Sequence, residues 1–239
     1  MIKSISILFP IYNEEKRLQN SLKMIDIFLK KNFYKKIEVI LIDDGSTDGS
    51  KKIIELFLKK SLNKKKYKFI SYKKNVGKGY ALSRGVSLGN KDWILTCDID
   101  FSVKLEQIIN WEKKFIKKDL FVYFGSRMHS LSTLQKNYFR NIIGSIFKLV
   151  VYILFKLNIS DTQCGFKLYK KKIAKKIFFK LIEKRYVHDV EIALRCIKNN
   201  IQIIELPVNW KHKSNGKINI FIDPFVMFVS LLKLKIKMN

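Results

Sequence analysis

Residues Ile37–Ser50 read IEVILIDDGSTDGS, and the fold class follows from this stretch. Ile37–Ile42 is dominated by β-branched and aliphatic side chains without helical spacing, the pattern of a strand buried on both faces. Such strands belong to parallel sheets with helices packed on either side. The run stops abruptly at Asp43-Asp44-Gly45-Ser46. Thr47 and Asp48 can cap a following helix, whose apolar positions Ile53, Ile54, Phe57 and Leu58 point one way.

The same unit recurs on both sides of this stretch. Ser4–Phe9 (SISILF) reads as a buried strand stopped by Pro10, and Glu14 to Lys30 carries Leu18, Leu22, Ile25 and Leu29 at helical spacing. Tyr67–Ser71 reads as a third strand, Gly77–Leu88 as a third helix and Trp93–Cys97 as a fourth strand. Alternating strands and helices predict βαβ units: an α/β, Rossmann-like fold with a mostly parallel central sheet flanked by helices. Ligands then sit at the carboxyl ends of the strands. The second half is less regular and is expected to complete the same domain. The lysine-rich stretch Asn63–Lys68 is expected to be a solvated loop.

The chain has 239 residues, 47% of them hydrophobic, enough for a substantial core. Its 48 Lys and Arg outnumber 20 Asp and Glu, for a formal charge of +28. That excess favours anionic partners such as nucleic acid, phosphorylated substrates or an anionic membrane. A general lysine bias of the surface is the ordinary alternative. Cys97, Cys164 and Cys196 are widely spaced and form no metal-binding pair, which suggests reduced thiols and a cytosolic location. The N-terminus lacks the pattern of a signal peptide. No stretch reaches the ~20 apolar residues that span a bilayer.

Three polar clusters end three apolar runs: Pro10-Ile11-Tyr12-Asn13-Glu14-Glu15, Asp43-Asp44-Gly45-Ser46-Thr47-Asp48 and Asp98-Ile99-Asp100. A parallel sheet brings all three to one edge. On an extended segment Asp98 and Asp100 point the same way, and two hard carboxylates suit Mg²⁺ or Mn²⁺ shared with a diphosphate. The ordinary alternative is a pair of aspartates capping a helix that starts near Lys104. Lys73–Gly79 offers a basic loop opening a helix, without P-loop spacing. Arg127, at a strand end, and Arg140, on an expected helix, suit bidentate phosphate contact.

FPIYNEE, VILIDDGSTDGS, NVGKGYALSRG, DIDFS and GSR, in that order, resemble glycosyltransferase family 2. DTQCGFKLY (Asp161–Tyr169), YVHDVEIAL (Tyr186–Leu194) and ELPVNW (Glu205–Trp210) resemble its dolichyl- and polyprenyl-phosphate branch, over about residues 4–217. The resemblance implies a GT-A fold in residues 1–217, with a C-terminal basic amphipathic helix in 218–239. It implies that Pro10, Tyr12, Glu14 and Asp43 hold the nucleoside of a nucleotide sugar, with Lys78 nearby. Asp98 and Asp100 would bind the metal diphosphate, helped by Ser102. Arg127 and Arg140 would clamp phosphates, while Asp161, Asp189 and Glu191 would line the sugar and acceptor side. The implied reaction is inverting transfer of a hexose to a polyprenyl phosphate, with UDP-glucose as first donor and GDP-mannose as the alternative.

A phosphate acceptor is already ionised at neutral pH, its second pKa lying near ~6, and needs no strong base. A sugar hydroxyl acceptor needs one, with Asp189 or Asp161 the candidates. The segment DTQCGF and the missing processive Q-x-x-R-W signature disfavour a polysaccharide polymerase. A nucleic-acid-binding protein would leave the strand-end carboxylates unexplained, so no nucleic-acid partner is expected. Members of this branch that span the membrane do so through terminal helices, which this sequence lacks. Two apolar, lysine-bearing segments, Ile142–Leu157 and Asp223–Lys237, instead suit an anionic membrane interface, the ordinary alternative being helices that pack on the domain core or in a homo-oligomer. A peripheral enzyme on the cytoplasmic face is expected.

Overall fold

The computed structural model describes residues 2–116, 122–134, 138–212 and 222–238, with the side chains of 138–143 excepted. The boundary expected at 217/218 lies outside the described residues.

Seven strands form the central sheet: β1 (Ser4–Ile11), β2 (Lys36–Asp43), β3 (Tyr67–Ser71), β4 (Trp93–Thr96), β5 (Val122–Ser126), β7 (Lys167–Lys170) and β8 (Ile203–Pro207), in the order β3-β2-β1-β4-β7-β5-β8. All pairings are parallel except those of β7, which runs antiparallel between β4 and β5. A small second sheet pairs β6 (Thr133–Leu134) with β9 (Asn209–Trp210).

The first half follows its hydrophobic pattern closely. Helix α1 (Glu15–Lys30) buries Leu18, Leu22, Ile25, Phe28 and Leu29, each such side chain stabilising the fold by roughly 1.5–3 kcal/mol. Helix α2 (Ser50–Lys60) begins where Asp48 Oδ1 accepts the Ser50 N–H at 3.0 Å. Helix α3 (Lys78–Leu88) follows β3. Strand β1 runs two residues past the expected stop at Phe9. Leu8 and Pro10 face β4, whose pairing ends at Leu8↔Thr96, so the missing N–H of Pro10 interrupts no ladder. Glu38, an acid in the deciding strand, is buried and satisfied by Ser6 Oγ at 2.6 Å, the Asn90 N–H at 2.6 Å and Lys68 Nζ at 2.9 Å.

Helix α4 (Gln107–Lys114) starts three residues beyond Lys104. The aspartates therefore do not cap it: Asp100 instead accepts the Ser102 N–H and hydroxyl. Helix α5 (Tyr138–Phe155) precedes β7, and α6 (Lys171–Ile177) and α7 (His188–Lys198) separate β7 from β8. Helix α8 (Asp223–Met238) packs along α5 and sinks Leu231 and Leu234 into the core layer behind the sheet. The lysine-rich stretch closes as a single 3-10 turn, Lys64–Lys66, before β3.

Candidate active site

The carboxyl ends of β1, β2, β4 and β5 lie along one edge, and a cavity of about 340 Å³ opens there. Lys78, Asp98, Asp100, Ser102, Arg127, His188, Asp189 and Trp210 line it. A larger hollow of about 480 Å³ lies between α3 and α6. Its charged lining is all basic (Arg84, Lys175, Lys180 and Lys184), so it lacks the acids a metal diphosphate needs.

Asp98 and Asp100 open onto the cavity, with side chains 40% and 26% exposed. Asp98 Oδ1 meets Lys78 Nζ at 2.6 Å. Burial alone would lower the Lys78 pKa, but Asp98, Asp189 and Asp100 outweigh it and hold the ammonium charged. The chain turns sharply after Asp100 because Phe101 adopts φ 51°, costly for an aromatic residue, and is pinned edge-on against Phe9 at 5.7 Å. Gly165 leaves room for the Asp98 carboxylate: a Cβ there would lie 2.3 Å from Oδ2. Among the described residues no group of three His, Cys, Asp or Glu could hold an ion unaided. Two open carboxylates that leave the other positions to diphosphate oxygens and water fit a divalent ion shared with a substrate.

The loop before α3 is not an open anion cradle. Asp44 accepts the N–H groups of Val76 and Gly77 at 3.0 and 2.7 Å and the amide of Asn75 at 2.8 Å. Gly77, at φ 126°, also packs against the Lys184 carbonyl where a Cβ would clash. Only the side chain of Lys78 reaches the cavity from this segment. Asp43 is buried beneath the same edge, accepting from Ser46 N–H and Ser71 Oγ. Pro10 is half-buried at the end of β1. Glu14 pairs with Arg17 at 2.7 Å, and Arg17 comes within 3.9 Å of Asp100. With Tyr12 exposed nearby in sequence, this edge continues from the metal-type carboxylates toward the β1–α1 loop.

Arg127 and Asp161 form a forked pair: Asp161 accepts Arg127 Nε at 2.7 Å, Nη2 at 2.9 Å and the backbone N–H at 2.9 Å. Burial pushes the Asp161 carboxyl up, but Arg127 overrides this and holds it below the usual carboxylate range. Asp161 therefore braces Arg127 and has little capacity left for a ligand. Trp210 flanks the guanidinium at 5.9 Å. Arg140 sits on α5 with its side chain outside the described residues.

Asp189 lies on the cavity floor, Oδ1 paired with buried Lys167 and Oδ2 3.4 Å from His188 Nε2. The structure does not bring Glu191 into the cleft. It is fully buried, accepts the N–H groups of Ile182 and Glu183 at 3.0 and 2.7 Å and pairs with Arg195 at 2.7 Å. Its position fixes the turn leading into α7. Arg17, Lys167, Arg185, His188 and Trp210 were not singled out in the sequence. Lysine is so abundant that Lys167 has no contrast there. The signal that could have found it is a lysine set directly between the apolar residues Phe166 and Leu168.

A family model described as glycosyl transferase family 2 matches residues 6–178. Dolichyl-phosphate beta-glucosyltransferase of Dictyostelium discoideum is 31% identical over 239 residues, spanning 96% of this chain and 72% of that protein. The Homo sapiens protein of the same name is 31% identical over 246 residues, 98% of this chain and 76% of its own. Among solved structures, glucosyl-3-phosphoglycerate synthase from Mycobacterium tuberculosis, in complex with Mn²⁺, UDP and phosphoglyceric acid, superposes with a TM-score of 0.70 at 13% identity. That match covers 98% of this chain and 78% of the other. TarS 1–349 of S. aureus superposes at 0.60 with 19% identity, covering 98% and 65%. The two superpositions establish the GT-A fold.

Proposed function

Because the chain belongs to glycosyltransferase family 2, we propose that it transfers glucose from UDP-glucose to a dolichyl-type polyprenyl phosphate with inversion at the anomeric carbon. The observation that carries this reading is the joining of Asp98, Asp100, Lys78 and the braced Arg127 in one cavity at the carboxyl edge of the sheet. The names of the relatives support the sugar and the lipid phosphate.

Pro10, Tyr12, Glu14 and Asp43 lie on the β1–β2 side of this edge and would hold the nucleoside. Asp98 and Asp100 would hold Mg²⁺ or Mn²⁺ with the diphosphate, and such an ion offsets the charge that builds on the leaving group. Lys78 adds a fixed positive charge beside Asp98. Arg127, oriented by Asp161 and Trp210, would hold one phosphate with a planar fork, with Arg140 as a second clamp. An oxygen of the acceptor phosphate attacks the anomeric carbon, the bond to the nucleoside diphosphate breaks, and no proton need move. The protein's work is to hold two anions in line at short range.

In this reading residues 1–217 belong to the transferase domain, and the basic helix α8 (Asp223–Met238) follows it. Among the described residues no helix is long and apolar enough to cross a membrane. We infer attachment to the anionic cytoplasmic surface through α5 and α8, which expose Ile146, Leu149, Ile153, Phe225, Phe228 and Ile236 among lysines. Such attachment would bring a lipid-borne phosphate to the cavity. Extraction of labelled glycolipid after incubation with UDP-glucose and dolichyl phosphate tests the proposal. Failure with UDP-glucose would refute it, and product from GDP-mannose alone would move the donor to the alternative.

A further inference from the structure

Beyond the pair suited to metal, two carboxylates stand near the reaction site: Asp189 lines the cavity, and Asp161 lies behind it, paired with the cavity residue Arg127. In a transferase that activates a hydroxyl, one of them has to take its proton. Neither is free. Asp161 is spent on Arg127. Asp189 meets Lys167, whose side chain is 1% exposed and whose other contacts are the Thr162 carbonyl at 2.7 Å and the face of Phe124 at 4.6 Å.

The placement of Lys167 follows from strand alternation. Phe166, just before β7, and Leu168 on it point into one core layer, so Lys167 and Tyr169 point into the other, beneath α7. A lysine buried there without a counter-ion would be strongly disfavoured, and Asp189 at the start of α7 supplies one. We infer that Lys167 is a positioning residue that sets acceptor specificity: by taking Asp189 as its ion-pair partner, it withdraws the last carboxylate able to serve as general base. The acceptor subsite is thereby restricted to a nucleophile that arrives ionised, such as a phosphate monoester. The inference rests on the lipid-phosphate reading above.

The groups facing Asp189 are Lys167 and Tyr169 from β7, His188 on its own helix and Lys78 from α3. Burial pushes the Asp189 carboxyl up, yet His188, Lys167 and Lys78 bring it below the ordinary range. A carboxylate held in that range accepts protons poorly at neutral pH. His188 is a poor replacement: its side chain is 1% exposed, its Nε2 faces the Asp189 carboxylate at 3.4 Å, and burial lowers its pKa despite the Arg185 carbonyl at Nδ1.

The test uses the full chain with Mg²⁺, UDP-glucose and three acceptors: a short polyprenyl phosphate, the matching phosphonate and the matching alcohol. In the wild type, kcat/KM for the phosphate should rise along one limb near pH ~6, and that limb should move upward with the phosphonate. A limb that stays put would assign the proton to an enzyme base and overturn the inference while leaving the transferase reading intact. Lys167→Met frees Asp189 from its partner. It should add an enzyme-borne limb and raise alcohol turnover relative to phosphate by at least ~10-fold, a fraction of the roughly 10²–10⁴-fold a well-positioned base contributes, with Lys167→Arg restoring the wild-type ratio. An unchanged ratio in folded Lys167→Met would overturn it as well, and if that variant does not fold the wild-type limb decides. No transfer to any of the three acceptors would defeat the transferase reading and this inference with it.

Discussion

Replacing Gly165 by alanine adds one methyl group at the point where β7 approaches the metal-type carboxylates. That Cβ would sit 2.3 Å from Asp98 Oδ2 and 2.6 Å from its Cγ, far inside ordinary contact. The backbone cannot retreat. The Gly165 carbonyl accepts Thr96 Oγ1 at 2.8 Å, and the next carbonyl, of Phe166, accepts the Gly125 N–H at 2.9 Å. Asp98 must therefore give way by about 1 Å, and in doing so it loses Lys78. A misplacement of that size costs on the order of 10²-fold in rate, or ~2.7 kcal/mol at the barrier. The fold should barely register the change, because Gly165 has no positive φ to lose and the displaced ion pair is partly exposed, worth at most ~1 kcal/mol. Transfer kinetics and urea unfolding measured on the same preparation check both halves. Full activity, or a loss of stability that accounts for the loss of activity, would refute the reasoning.

Glu191→Gln should lower stability by about 1–3 kcal/mol, the cost of leaving buried partners unsatisfied. Its activity at low temperature should change less than threefold, since the residue braces the turn before α7; unfolding and kinetics separate the two. Arg127→Gln should destabilise most at neutral pH. The Asp161 pKa is depressed in the folded state, so its stabilisation is present above the unfolded value of about 3.9 and fades as pH falls through the folded one. The stability gap between wild type and variant should therefore shrink from pH about 7 to about 3, and a constant gap would count against the pair. Phe225→Ser with Phe228→Ser should reduce co-sedimentation with anionic vesicles severalfold while moving Tm by less than ~2 °C, because both rings are exposed. Unchanged partitioning would return α8 to a purely structural role.

The first four strands were legible because each is an apolar run ended by turn chemistry, and the helices between them carry strong 3.6-residue spacing. The error at Pro10 has a local cause: a proline stops a ladder only where its missing N–H faces a neighbour. The insertion of β7 was not legible. Four residues, KLYK, carry too little pattern to show a strand reversing direction between β4 and β5. That reversal brings Gly165 beside Asp98 and Lys167 beneath Asp189, so the finer structure of the site depends on the element hardest to read. The family resemblance placed Asp161, Asp189 and Glu191 together on the sugar and acceptor side, with Asp161 and Asp189 as base candidates. Burial and pairing separate them into a brace for Arg127, a partner for Lys167 and a brace for the α7 turn.

The central claim is that this cavity joins a nucleotide sugar to a lipid phosphate. It is tested most directly by labelled transfer from UDP-glucose to dolichyl phosphate, with Mn²⁺ or with EDTA, in wild type and Asp100→Ala. The account predicts label in the organic phase only for wild type with metal. Label released as free sugar, or organic-phase product that survives both EDTA and Asp100→Ala, would contradict it.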